Sequence, residues 1–277
     1  RCYASMFYNC ANLTSAPELP AITLASACYS GMFYNCTSLT TAPELPATIL
    51  ADDCYSAMFS ECSNLTTAPE LPATILADDC YNSMFYNCTS LTTAPNILPA
   101  TILADRCYSA MFKNCTNLTT APELPAITLA SACYRGMFEN CQNLTTAPEL
   151  PATTLANNCY QNMFYGCSAL TTAPELPAIT LASACYYAMF YNCSNLTTAP
   201  NILPATKLAD SCYNTMFSYC SSLTTAPELP ATILASNCYK WMFYGCSKLK
   251  VNQGGSGNKI FTCPDTSGLT DPVNWMF

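Results

Sequence analysis

Cys28-Tyr29-Ser30-Gly31-Met32-Phe33-Tyr34-Asn35-Cys36-Thr37-Ser38-Leu39-Thr40-Thr41-Ala42-Pro43-Glu44-Leu45-Pro46-Ala47 is the stretch whose reading decides the fold, because the chain repeats it with small changes from its first residues to Leu249. The leading cysteines of the copies are Cys2, Cys28, Cys54, Cys80, Cys107, Cys133, Cys159, Cys185, Cys212 and Cys238, spaced by 26 residues with two spacings of 27. A period of this length marks a solenoid, in which each copy buries its apolar face against its neighbours. The two longer copies carry Pro95-Asn96-Ile97-Leu98-Pro99 and Pro200-Asn201-Ile202-Leu203-Pro204 where the others have Pro-Glu-Leu-Pro. They lie four copies apart, which points to duplication of a block of four.

Within the copy beginning at Leu24, the residues Leu24, Cys28, Met32 and Cys36 recur every fourth position, with Tyr29 and Phe33 beside them. That pattern predicts the inner face of a short helix. Polar pairs such as Asp52-Asp53, Asp78-Asp79 and Asn157-Asn158 precede each such run and suit a helix N-terminus. The following Leu39 to Pro46 segment predicts a brief parallel ladder of two to four residues around Leu39 to Ala42, since Pro43 has no amide proton to donate. Stacked at ~5 Å per strand, these segments form one side of the solenoid. The expected class is therefore an α/β repeat of about ten 26-residue copies, with a short parallel β ladder on one side and short helices on the other. Residues 1–250 form the solenoid, and residues 251–277 read as a C-terminal cap or the start of a following module.

Copies compared within the chain separate core from surface. Cys, Tyr, Met, Phe, Cys, Leu and Pro hardly vary, whereas the pair between Tyr and Met-Phe changes freely, as Ser30-Gly31, Asn82-Ser83, Arg135-Gly136, Tyr187-Ala188 and Lys240-Trp241. The varied pair is expected to face solvent.

The run Met32-Phe33-Tyr34-Asn35-Cys36-Thr37-Ser38-Leu39-Thr40 resembles the leucine-rich repeats of the BspA-like, or Treponema pallidum, class. The resemblance covers roughly residues 1 to 250. It implies strands on one side and helices on the other, and an extracellular setting, on a cell surface or attached to a virion, with a role in adhesion or ligand binding.

Charge excludes some partners. Only 9% of the residues are charged and the net charge is −8, with the nine basic residues scattered, so clustered phosphate neutralisation by Lys and Arg is not available for nucleic acid. No apolar run reaches the roughly 18 residues of a bilayer span. The absence of histidine removes the commonest general base and any Ser-His or Cys-His couple, so no enzyme is expected.

The chain has 21 cysteines, two per copy plus Cys263. On a helix, Cys28 and Cys36 would stand ~12 Å apart, beyond the ~7 Å reach of a disulfide. Pairing the second cysteine of one copy with the first of the next, through to Cys246 with Cys263, meets the same distance problem. Free buried thiols acting as small apolar residues are the preferred reading. No zinc site is expected, for want of histidine and of a short Cys-x-x-Cys spacing.

Two repeated polar features mark a candidate binding ribbon: Thr41, Thr67, Thr93, Thr120, Thr146, Thr172 and Thr198, and the acids Glu44, Glu70, Glu123, Glu149 and Glu175. Only one threonine of each Thr-Thr pair is expected to line it, because adjacent strand residues face opposite ways. A regular row of hydroxyls suits a regular ligand such as a glycan, or a protein on a host or other cell surface. No cofactor is expected, and calcium bridging the stacked glutamates ranks below glutamates splayed into solvent. The rival reading is a structural stalk or filament subunit joined end to end, motivated by the near-identical copies, a start in mid-copy and an unpaired Cys2.

Overall fold

A computed structural model describes residues 2–250, 269–273 and 276. Among them the chain winds as a continuous stack of near-identical coils, one per copy, with no helix and no strand longer than a single bridged residue.

The stretch expected to be helical is instead a run of tight turns. Cys28 N donates to Ala25 O, Met32 N to Tyr29 O and Cys36 N to Phe33 O, each at 3.1 Å, closing three successive four-residue turns. The third residue of each turn is left-handed, with φ of 51° at Ala27, 57° at Gly31 and 55° at Asn35, as a type II turn requires. The same three positions are left-handed in the later copies, for example at Asp79, Ser83 and Asn87. Backbone amides at every second residue are thereby turned along the solenoid axis. Ala27, Tyr29, Gly31, Phe33 and Asn35 donate to Asp52, Cys54, Ser56, Met58 and Ser60 of the next coil at 2.8–3.0 Å. Hydrogen bonds that a helix would keep within itself are made between coils.

The expectation of helices fails for a physical reason. An α-helix turns 100° per residue, so side chains repeating strictly every four residues drift by about 120° over twelve and leave one face. A period of four suits four-residue turns, each placing two side chains inward and two outward. The polar pairs do not cap helices either. Asp53, Asp79 and Asn158 occupy left-handed corners, a conformation that short Asp and Asn tolerate better than most residues. The first residue of the pair caps the neighbouring coil: Asp78 Oδ1 accepts from Asp105 N at 3.0 Å, and Asp105 Oδ1 from Ser131 N at 2.9 Å.

Each inward side chain stacks on its own kind. From Tyr29 to Tyr239 the ring centroids are 5.6–5.9 Å apart with planes within 10°. The phenylalanine column from Phe7 to Phe243 runs parallel to it at 5.4–5.8 Å. These lie within the offset-stacked range that rings prefer. Met, Leu and both cysteine columns fill the space between, and the central members of each are wholly buried.

On the opposite side, parallel pairing occurs as isolated bridges. One row links Thr41, Thr67, Thr93 and Thr120, then Thr172, Thr198 and Thr225. A second joins Thr23, Ile49 and Ile75, then Ile102, Thr128, Thr154, Thr180, Lys207 and Ile233. The pairing is thus parallel but shorter than the two to four residues expected, and Pro43 and Pro46 and their equivalents remove donors between the two rows. The two longer copies place their extra residue in an additional bridge, Ile97 to Glu123 and Ile202 to Glu228.

Residues 251–268, with Cys263, lie outside the described residues, as does Trp275. Three tail residues accept from the last coil as a further coil would: Thr270 O from Asn237 N at 2.8 Å, Pro272 O from Tyr239 N at 2.8 Å and Met276 O from Phe243 N at 2.7 Å.

Candidate functional site

The threonines form an exposed ribbon along the bridged side of the solenoid. Both residues of each pair are exposed, Thr40 with Thr41 and Thr66 with Thr67, through to Thr197 with Thr198. The expectation that one of each pair would point inward is therefore corrected: a single bridged residue does not hold the pleat that makes neighbours alternate. The two threonines still differ in what they do. Thr92 Oγ1 donates to Thr66 O at 3.2 Å and Thr197 Oγ1 to Thr171 O at 3.1 Å, so the first of the pair ties coils together. The second, at Thr41, Thr67, Thr93, Thr120, Thr172 and Thr198, makes the bridge through its backbone and offers its side chain outward. Thr146 is exposed in line with them but lies outside the bridged row.

Beside the ribbon, three pairs of adjacent Ala-Pro-Glu-Leu-Pro segments leave a hollow between them. Thr41, Glu44, Thr67 and Glu70 border one of about 450 Å³. Thr146, Glu149, Thr172 and Glu175 border another of about 390 Å³. Glu123 and Glu149 face across a third of about 480 Å³. The hollows bring Thr41, Thr67, Thr146 and Thr172 beside Glu44, Glu70, Glu149 and Glu175, with prolines in the lining, whereas Thr93, Thr120 and Thr198 border none of the three. Glu70 and Glu175 are also engaged by the Pro-Asn-Ile-Leu-Pro segments of the longer copies: Asn201 Nδ2 donates to Glu175 Oε1 at 3.0 Å, and Asn96 Nδ2 to Glu70 Oε1 at 3.4 Å. All five glutamates are exposed. Among the described residues, no three acids or thiols gather where they could hold a metal ion.

Reactive chemistry finds little support in the thiols. The twenty described cysteines are free, and only Cys2 and Cys10 are exposed. Burial pushes the Cys54, Cys62, Cys107 and Cys159 thiols up to about 12, partly offset by backbone hydrogen bonds. A thiol so raised holds its proton at neutral pH and is a poor nucleophile. The second cysteine column instead joins coils, since from Cys36 to Cys246 each Sγ–H donates to a phenylalanine carbonyl of the preceding coil at 3.0–3.1 Å. The reading of these cysteines as small core residues agrees with their burial.

Residue-by-residue reading missed a second exposed row. Ile49, Ile75, Ile102 and Ile233 in the second bridged row, and Ile22, Ile127 and Ile179 one residue before it, are 55–81% exposed. Their signal was the Thr-Ile or Ile-Thr pair before the recurring leucine in all copies but those with Thr153-Thr154 and Thr206-Lys207, as at Ile22-Thr23-Leu24 and Thr48-Ile49-Leu50. Also missed were the left-handed corners, signalled by Asn35, Asn87, Asn114, Asn140, Gly166, Asn192 and Gly245 recurring at one position of the copy.

Comparison with known proteins agrees with the repeat. The sequence model of the BspA type leucine rich repeat region (6 copies) matches residues 2–145 and again residues 105–250. A leucine-rich repeat protein from Bacteroides ovatus is 15% identical, over 93% of this chain and 76% of that one, with a TM-score of 0.33. A leucine rich cell surface protein from Faecalibacterium prausnitzii is 18% identical, over 90% of this chain and 68% of that one, with a TM-score of 0.41. No curated protein matches the chain. With its copies matched from Cys2 to Lys250, the chain belongs to the BspA-type leucine-rich repeat family.

Proposed function

We propose that this chain is a non-enzymatic binding protein that works outside the cell, on a cell surface or a virion, holding a glycan or a surface protein along its threonine and glutamate ribbon. The observation that supports this reading is the recurring hollow, bordered by Thr, Pro and Glu from two coils, on a face with no buried charge and no thiol. A repeated hollow suits a repeated ligand, since many weak equal contacts add up along a rigid ladder. The cell-surface description of the Faecalibacterium protein is in keeping with this setting. The described tail residues Thr270, Pro272 and Met276 fit a cap on the last coil.

The test is saturable binding of the purified chain to a glycan array and to whole cells, with and without calcium. Replacing Thr41, Thr67 and Thr146 together by Lys fills the hollows and is expected to lower affinity at least tenfold, with calcium making no difference. Binding unaffected by those lysines removes the ribbon from the account.

The exposed isoleucine row supports a second reading, in which coils associate side by side into a filament. Sedimentation that grows with concentration, and reverts when Ile75, Ile102 and Ile127 are replaced by Ser, is its expected signature. A monomer at all concentrations contradicts it.

A further inference from the structure

On the turn side, two rows of outward side chains run along the solenoid, one from the middle turn of each coil and one from the last turn. In the middle of the chain the second row is charged, with Lys113 and Glu139 paired at 2.9 Å. Over the last four coils it holds Tyr165, Tyr191 and Tyr244, with Ser218 followed by Tyr219 in the third, and a cleft of about 710 Å³ opens between the rows, walled by these tyrosines with Tyr187 and Trp241. That volume lies within the range of small-ligand sites. Tyr219, Trp241 and Tyr244 are 42–45% exposed.

The backbone under this cleft holds residues that its conformation disfavours. At the left-handed corner of the middle turn, earlier coils have Gly31, Ala57, Ser83, Ala110 and Gly136; the last two coils have Thr215 and Trp241, both at φ 54°. At the corner of the last turn, where Asn or Gly is usual, Tyr219 stands at φ 61°. Left-handed backbone is disfavoured for an L-residue, and bulky or β-branched residues there are outliers. All three line the same cleft. Strain gathered at one place, and heavier there than at the equivalent corners of other coils, is a mark of a working site.

The rings are also arranged differently from the core columns. Tyr165 and Tyr191 stack at 4.6 Å, but Tyr219 meets Tyr191 and Tyr244 edge-on, at 67° and 87°. Gly245 makes room for this turned ring, since a Cβ there would stand 2.8 Å from Tyr219 Cδ1. Trp241 is held at its ring and at its backbone: Lys240 Nζ sits 5.0 Å from the ring centroid and pairs with Asp271 at 3.4 Å, and the Ser218 hydroxyl donates to the Trp241 backbone carbonyl. Such prior fixing lowers the entropy lost on binding.

The Lys240 charge beside the Trp241 ring is paired with Asp271, and no ionised side chain lines the cleft itself. Its polar groups are neutral, the Asn162 amide and the Thr215 and Ser218 hydroxyls, and Asn162 Oδ1 is buried without a hydrogen-bond partner. Flat apolar faces beside neutral hydrogen-bonding groups match a ring that is apolar on its faces and hydroxylated at its rim. We propose that this aromatic cleft is a binding site for a neutral oligosaccharide, whose pyranose rings lie against Trp241, Tyr244 and the turned tyrosines. The site shares the binding reading above but not its location, so either can fail while the other stands.

Isothermal titration of the whole chain with cellohexaose, mannohexaose, xylohexaose and maltohexaose, and with an oligogalacturonate as the anionic counterpart, tests it. At least one neutral hexaose is expected to bind saturably, and the oligogalacturonate at least tenfold more weakly. Trp241→Gly is expected to reduce affinity tenfold or more with a thermal midpoint no lower than the parent's, because glycine accepts the corner without strain. Tyr219→Asn is expected to do the same, while Thr146→Lys on the ribbon leaves this affinity unchanged. Absence of saturable binding to every neutral hexaose overturns the proposal. So does undiminished binding by both cleft variants, or loss of binding in the ribbon variant alone.

Discussion

The inner and outer residues of the same turns follow opposite rules. Inward, Tyr, Met, Phe and Cys repeat almost without change and stack into columns of their own kind, so each coil is a template for the next. Outward, the corner of the middle turn ranges from Gly31 through Asn162 to Trp241, although every one of these residues shares the same left-handed backbone. The comparison teaches that in this chain the stacked interior, with the amide bonds between coils, dictates backbone conformation, and the outer side chains accept it. That division frees the outer rows to change from small to charged to aromatic while the coil beneath them stays the same.

The widest test of the inner rule is alkaline pH. Burial raises the Cys54 and Cys62 thiols from about 9 to about 12, and the buried Tyr81 and Tyr108 hydroxyls well above their ordinary value. In the unfolded chain these groups lose protons at lower pH than in the folded one. Their contribution is complete below pH 9 and is lost as pH rises towards the folded values, since stability falls wherever the unfolded state binds fewer protons. Cooperative unfolding above pH 9 is the expected result. A circular dichroism signal unchanged from pH 7 to 12 would contradict the burial of the thiols.

Next in size is a break in one column. Phe112→Ala is expected to cost about 3–5 kcal/mol in urea unfolding, against roughly 0.5 kcal/mol or less for Glu139→Ala on the outer row. Equal costs would erase the contrast between the two. The outer rule is sharpened by Asn192, exposed at a left-handed corner with φ 58°. Asn192→Val is expected to destabilise by about 1–2 kcal/mol, and Asn192→Gly to leave stability nearly unchanged. A harmless valine would show that the corner is not left-handed in solution. The smallest effect concerns Tyr108, whose hydroxyl is buried with no hydrogen-bond partner. Because an unsatisfied polar group opposes folding, Tyr108→Phe is expected to match the parent or exceed it slightly in thermal midpoint. A clear loss would reveal a bond to that hydroxyl.

Much of the architecture was legible in the sequence because a repeat carries its own comparison. The near-constant Cys28, Tyr29, Met32, Phe33, Cys36 and Leu39 marked the core, and each is buried. The varied pair between Tyr and Met-Phe marked the outer side, where Arg135 and Trp241 are exposed, although Gly31, Ala188 and Thr215 at the same corner are covered by their neighbours. What periodicity concealed was the backbone. A period of four is close enough to 3.6 to suggest a helix over one copy, and only the recurrence of Asn or Gly at residue 35 and its equivalents distinguishes a left-handed corner. The ribbon threonines and glutamates were legible as a row, but their hollows depend on how proline rings of adjacent coils meet. The aromatic cleft was hidden for another reason. Its residues come from four coils and several turn positions, so no single copy contains the pattern.

The measurement that bears most directly on the central claim, that stacked left-handed corners replace helices in each coil, is the amide I infrared spectrum of the folded chain, where the tyrosine columns contribute little. The account predicts a turn-dominated band with no resolvable helical component. A helical component equivalent to about 10 residues in each copy, the length of an ordinary short helix, would contradict it.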